Sequence, residues 1–113
     1  MTDKDLKFIK LQFENGKDIT EEQINAEYAK GNYYIYIELT DDCFAESINL
    51  PSSYSLDPIS GSIVHIKNAS SRMSELTAKE GDIVAVRRTI PAGGTCIAMG
   101  VPNTGWMVSE HQF

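Results

Sequence analysis

From Glu80 to Val108 the chain alternates short β-branched runs with turn residues, and no other stretch constrains the fold as tightly. Ile83-Val84-Ala85-Val86 has the apolar density of a strand buried on both faces, and Arg87-Arg88-Thr89 carries it into solvent. Pro91-Ala92-Gly93-Gly94 then reverses the chain, and Thr95 to Met99 reads as the return strand. Gly100 to Gly105 makes a second turn before a third short strand, Trp106-Met107-Val108, with Trp106 in the core. The expectation is a β-meander.

Upstream, Leu6 to Phe13 alternates imperfectly, with Leu6 and Phe8 on one face and Leu11 and Phe13 on the other. This predicts a strand with a bulge near Ile9-Lys10. Glu14-Asn15-Gly16-Lys17 is a strong turn, after which a helix starts. Thr20 and Gln23 have the spacing of a capping box, and Ile19 and Ile24 that of a hydrophobic staple. Glu21 and Glu22 favour the positive end of the helix dipole, and Lys30-Gly31 ends the helix. Its apolar stripe is narrow, so it should lie against a sheet or plug one end of it.

Tyr33, Ile35, Ile37 and Leu39 face one way in the next strand, while Tyr34, Tyr36 and Glu38 face the other. Thr40-Asp41-Asp42 turns the chain, Cys43 to Leu50 forms another strand, and Pro51 to Gly61 is a Ser/Pro-rich loop. Ser62 to Asn68 is a further strand, and Ala69 to Lys79 is a polar segment anchored by Met73 and Leu76. The tail beyond Val108 is too short to fold alone. One short helix near residues 20–30 and a series of short strands predict a mainly β domain, a small antiparallel sandwich or barrel over residues 1–113. The spacing predicts no β-helix-β alternation, which argues against a doubly wound sheet.

A chain of 113 residues can bury one modest core. Ten Lys and Arg stand against 16 Asp and Glu, a formal charge of −6. Such a balance argues against a nucleic-acid partner, since phosphate binding rests on Lys and Arg. No window nears the ~18 consecutive apolar residues of a membrane span, and Met1 to Asp5 is too polar to begin a secretory signal. Synthesis in a cytosol is expected.

Candidate chemistry is sparse. His65 and His111 are the two histidines and have no neighbour at metal-ligand spacing. Cys43 and Cys96 lie far apart and read as two separate thiols. Asp41-Asp42 lacks the alternating acids of a calcium loop, Gly93-Gly94 lacks the lysine and helix of a phosphate loop, and the serines lack an elbow motif. Asn68-Ala69-Ser70 is read as a strand ending in a turn and not as a glycosylated sequon. No catalytic residue, cofactor or metal is expected. Tyr34 and Tyr36 form an aromatic pair able to bury against another subunit or stack on a sugar, unless that strand is covered on both faces. Arg87 and Arg88 read as a solvated strand end or as a patch that pairs with acids on a neighbour.

Two stretches resemble modules of bacteriophage virion proteins. Ser47-Ile48-Asn49-Leu50-Pro51 and then Gly61 to Ser70 are similar to β-rich fibre domains, in which a strand ends in Leu-Pro and another begins after Gly. Leu76, Glu80 to Val86 and Trp106-Met107-Val108 resemble a short fibre segment with a Gly-Asp strand and a closing Trp strand. The chain departs from that pattern at Arg87-Arg88 and in its capped helix. The resemblance implies a non-enzymatic structural component of a phage particle, a capsid decoration or tail-fibre protein carried in the virion. Its partners would be other virion proteins or copies of itself, with a trimer favoured, and Tyr34, Tyr36, Arg87 and Arg88 would be the contact residues. Two alternatives fit the same residues: a small acidic inhibitor or immunity protein that binds a basic enzyme, and a glycan-binding module.

Overall fold

In the computed structural model, residues 8–51, 62–77, 88–101 and 105–112 are described. The elements run β1 (Phe8–Lys10), α1 (Glu21–Ala29), β2 (Tyr34–Leu39), β3 (Ser47–Asn49) and β4 (Ser62–Asn68). They continue with β5 (Ser74–Thr77), β6 (Arg88–Ile90), β7 (Gly94–Val101) and β8 (Gly105–Gln112). Two sheets form, one of five strands in the order β1-β2-β4-β7-β8 and one of three in the order β3-β5-β6. The mainly β architecture with one short helix is the one the strand spacing predicted.

The direction of the strands is not. Three of the six pairings among the described strands are parallel, β1 with β2, β2 with β4 and β3 with β5, so the sheets are mixed and not antiparallel. The reason is that the chain changes sheets between consecutive strands. After β2 it crosses to the small sheet for β3 and returns for β4, which therefore lies parallel to β2. Helix α1 joins two parallel neighbours, making a β-helix-β unit where the spacing predicted none. The turn at Pro91 to Gly93 likewise passes the chain from one sheet to the other, so β6 and β7 are not the hairpin expected of a meander. Only the β7–β8 hairpin of that meander stands, and Ile83 to Val86 lies outside the described residues. The tail joins the fold, since β8 runs to Gln112.

Local chemistry explains the remaining boundaries. β1 pairs with β2 without a bulge, Phe8 opposite Tyr34 through Lys10 opposite Tyr36. The Leu11 amide continues the ladder by donating to Tyr36 O at 2.8 Å, which turns Ile9 and Leu11 inward and Phe8 and Lys10 outward. The strand foreseen from Cys43 to Leu50 is only Ser47–Asn49, because Asn15 and Gly16 take the Phe44 backbone. Asn15 Oδ1 accepts from Phe44 N at 2.8 Å, and Gly16 N donates to Phe44 O at 2.7 Å. Met73 is no anchor, being 67% exposed, while the next residues form β5. Buried Ser74 hides that strand in the sequence, and its hydroxyl is satisfied by Ala45 O at 2.7 Å.

The helix follows its signals closely. Thr20 N donates to Gln23 Oε1 at 2.9 Å and Gln23 N donates to Thr20 Oγ1 at 3.2 Å. Ile19 and Ile24 are fully buried, and Gly31 ends the helix at a φ of 91° that favours glycine. Ile19 is tacked to β3, its amide bonded to Ser47 O at 3.0 Å, which fixes the start of α1 against the small sheet.

Between the sheets lies one core. Ile35, Ile37 and Leu39 of β2, Val64 and Ile66 of β4, Cys96 and Ala98 of β7 and Trp106 of β8 pack against Phe44, Ile48, Leu76 and Ile90. Burying each large aliphatic side chain contributes roughly 1.5–3 kcal/mol. The Trp106 indole donates to Pro51 O at 2.8 Å, so the largest core side chain also ties β8 to the end of the β3 segment. A second tie is Asn68, fully buried, whose side-chain amide donates to Arg72 O at 2.7 Å and Ile90 O at 3.0 Å. Its Oδ1 accepts from Ser70 N and Ser70 Oγ, and its main-chain carbonyl accepts from Gly93 N at 2.7 Å. So placed, Asn68 belongs to the junction of three segments and is closed to glycosylation.

Candidate functional site

Alternation on β2 sends every second side chain away from the core, and the strand register assembles these outward residues into rows. Phe8 stands opposite Tyr34, Tyr34 opposite Ile63, Ile63 opposite Met99 and Met99 opposite Met107. One apolar row therefore crosses all five strands. Two residues along, Lys10, Tyr36, His65, Ile97 and Ser109 form a mixed row, and beyond it come Glu38, Lys67 and Thr95. The outer face thus grades from apolar at one end of the strands to charged at the other. Phe8 is 60%, Met99 48% and Met107 59% exposed, while Tyr34, Tyr36, Ile63, His65 and Ile97 are half-buried among their neighbours.

At the β1–β2–β4 side the aromatics form a cluster. Phe8 lies 5.3 Å from the Tyr34 ring and 6.3 Å from the Tyr36 ring, nearly parallel to the latter. His65 meets both tyrosines edge-on, at 6.0 Å from Tyr34 and 5.2 Å from Tyr36. Tyr34 Oη and His65 Nδ1 are 2.8 Å apart. Burial, and secondarily the Lys67 charge, hold the His65 pKa below its ordinary value. In the neutral imidazole this contact is one hydrogen bond whose direction follows the tautomer, and the other ring nitrogen, Nε2, is left for a second bond. Tyr36 is pushed upward, first by burial and then by Glu38, with Lys10 opposing, so it stays a neutral phenol. Lys10 Nζ meets Glu38 Oε1 at 3.0 Å across the first two strands. Exposed as this pair is, its role is to mark the polar rim and not to hold the sheet.

The same pair borders a shallow depression of about 220 Å³, lined by Leu11, Gln12, Phe13, Thr40 and Cys43. It continues into an open groove of about 570 Å³ along Phe13, Glu14, Lys17, Asp18 and Gln23. Cys43 and Cys96 are not joined in a disulfide, and Cys96 is buried. Asp41 is engaged by a turn, accepting from Ser71 N and Ser71 Oγ, each at 2.8 Å. Those bonds keep its carboxyl below the usual range. No three His, Cys, Asp or Glu side chains gather to hold a metal ion among the described residues. No helix among them is long and apolar enough to cross a membrane.

The predicted pair Tyr34 and Tyr36 lies on this outer face, and the structure brings Phe8 and His65 to it. Arg87 lies outside the described residues. Arg88 is described only through its backbone, which opposes Leu76 in the other sheet, so Arg88 and the tyrosines are not gathered on one sheet face. Sequence reasoning missed Phe8, Ile63, Ile97, Met99 and Met107. The available signal was that Met99 and Met107 sit out of phase with Ala98 and Trp106, leaving β7 and β8 apolar on both faces.

Two mixed sheets, a Trp-filled core and one short capped helix define a small β-sandwich. The fold is similar to that in the crystal structure of enterohemorrhagic E. coli StcE(132-251), with a TM-score of 0.59 and 17% sequence identity over 87% of this chain and 92% of that chain. No family model and no curated protein sequence matches the chain.

Proposed function

We propose that this chain is a non-enzymatic structural component that works by protein–protein contact, with the outer face of the five-stranded sheet as its contact surface. The observation that carries this reading is the row Phe8–Tyr34–Ile63–Met99–Met107, which presents apolar side chains from every strand of the sheet. Exposed apolar surface organised in this way is what a partner covers. The packed aromatics favour a protein over a sugar, because Phe8 and His65 already occupy much of the space beside the two tyrosine rings. Resemblance to phage fibre and decoration domains supports a phage particle as the setting.

Mass spectrometry of purified particles tests this reading, with the chain expected among the virion proteins and Met99→Glu or Met107→Glu expected to abolish its incorporation. Absence of the native chain from particles would sink the virion role. Incorporation undiminished by both substitutions would sink the outer face as the contact.

A further inference from the structure

The apolar row is ordered as well as continuous. Its aromatic members, Phe8 and Tyr34, stand on β1 and β2, its methionines, Met107 and Met99, stand on β8 and β7, and Ile63 of central β4 separates them. We propose that the occupant of this face is a second copy of the chain, related by a twofold axis running along β4 between the two sheets; this rests on the contact surface assigned above. Such an axis preserves position along the strands, so apolar row meets apolar row and polar rim meets polar rim. It also exchanges the two ends of each row. Phe8 of one copy then faces Met107 of the other, Tyr34 faces Met99, and Ile63 faces its own equivalent. Aromatic rings and thioethers attract each other beyond plain burial, and a closed isologous contact satisfies both copies at once.

Charge opposes the pairing at one point and otherwise permits it. The chain carries −6 overall, yet the described charged side chains in the rows of this face are Lys10, Lys67 and Glu38, two cations and one anion. The axis sets Lys67 of β4 opposite its own equivalent, with the other copy's Glu38 one strand to the side to offset that like-charge contact at the polar rim. The acids of the Glu14 to Glu27 segment belong to α1 and the turn before it, off the sheet face. Area sets the strength. Five strands spaced ~4.8 Å apart and three rows about 7 Å apart give a footprint on the order of 500 Å², at the small end of specific interfaces. The dimer is therefore reversible, with dissociation in the micromolar range or weaker. Threefold closure, by contrast, would need a heterologous contact and would leave this self-complementary row unmatched.

The test uses the full chain in sedimentation equilibrium across a concentration series, with Ile63→Cys in a Cys43→Ser background as a register probe. A monomer–dimer equilibrium is expected, shifted at least tenfold towards monomer by Met107→Glu with unchanged circular dichroism. Mild oxidation should link Ile63→Cys into covalent dimers. The Phe8→Cys/Met107→Cys pair should link likewise and Phe8→Cys alone should not. A monomer at every concentration, a trimer, or a dimer unaffected by Met107→Glu and not linked through Ile63→Cys would overturn the proposal. If the chain is monomeric but Met107→Glu still prevents incorporation into particles, the twofold fails while the outer face remains the contact surface.

Discussion

The inner face of the five-stranded sheet is largely apolar and the outer face is apolar at one end of its strands, and only the inner one is closed. On β2 the inward Ile35, Ile37 and Leu39 are completely buried under the small sheet, whereas outward Tyr34 and Tyr36 are half-buried by neighbours in their own sheet. On β8 the contrast is sharper, with Trp106 at 0% exposure and adjacent Met107 at 59%. The same pleat thus divides its work. The inner face holds the sandwich together, while the outer face leaves Phe8, Met99 and Met107 exposed. Apolar content alone does not separate core from contact surface; what stands opposite each face does.

Substitutions that break this contrast differ in size. Trp106→Ala removes the largest core side chain and its bond to Pro51 O, so a loss of about 3–5 kcal/mol is expected in urea unfolding. Asn68→Ala strips the Ile90 carbonyl and the Ser70 amide of this side-chain partner and leaves the Arg72 carbonyl with Ser70 Oγ at 3.1 Å, for a loss of about 1–3 kcal/mol. Thr20→Ala touches neither face and calibrates the scale, costing about 1 kcal/mol through the helix cap alone. On the outer face, Met107→Ser should change folding stability by less than about 0.5 kcal/mol while weakening association. Equal destabilisation by Met107→Ser and Trp106→Ala would erase the distinction between the faces.

The smallest effect is one of pH. His65 in the folded chain titrates below its ordinary value, near 6.5 for an unfolded histidine. As pH falls through that value, the unfolded chain takes up the proton first, so this group lowers stability progressively until its folded pKa is passed. Above that window its contribution is flat. Imidazole resonances of the folded chain should give a His65 midpoint below 6.5, and a midpoint at or above it would contradict the half-buried ring packed against Tyr34 and Tyr36.

Local signals were legible in the sequence wherever the cause was local. Thr20 and Gln23 make their own cap, Gly16 and Gly31 take positive φ, and the β2 alternation needs only a period of two. Strand direction was not legible, because turn residues show that the chain bends and not which sheet it enters next. Nor was β5, since a buried serine reads as loop until Ala45 O is seen beside it. The tyrosine pair could be read from one strand, but the row through Phe8, Ile63, Met99 and Met107 could not. Each is a single exposed or half-buried apolar residue, and it is the register of five strands that makes them a surface.

Methionine oxidation, read residue by residue in the mass spectrum, tests the outer face most directly, because the chain carries its own control. Met73 is 67% exposed on the turn before β5, away from the sheet face that bears Met99 and Met107. With dilute protein all three should react readily with peroxide. In the assembled protein Met99 and Met107 should become protected while Met73 continues to react. Equal reaction of all three in the assembled state, or protection of Met73 alone, would contradict the outer face as the working surface.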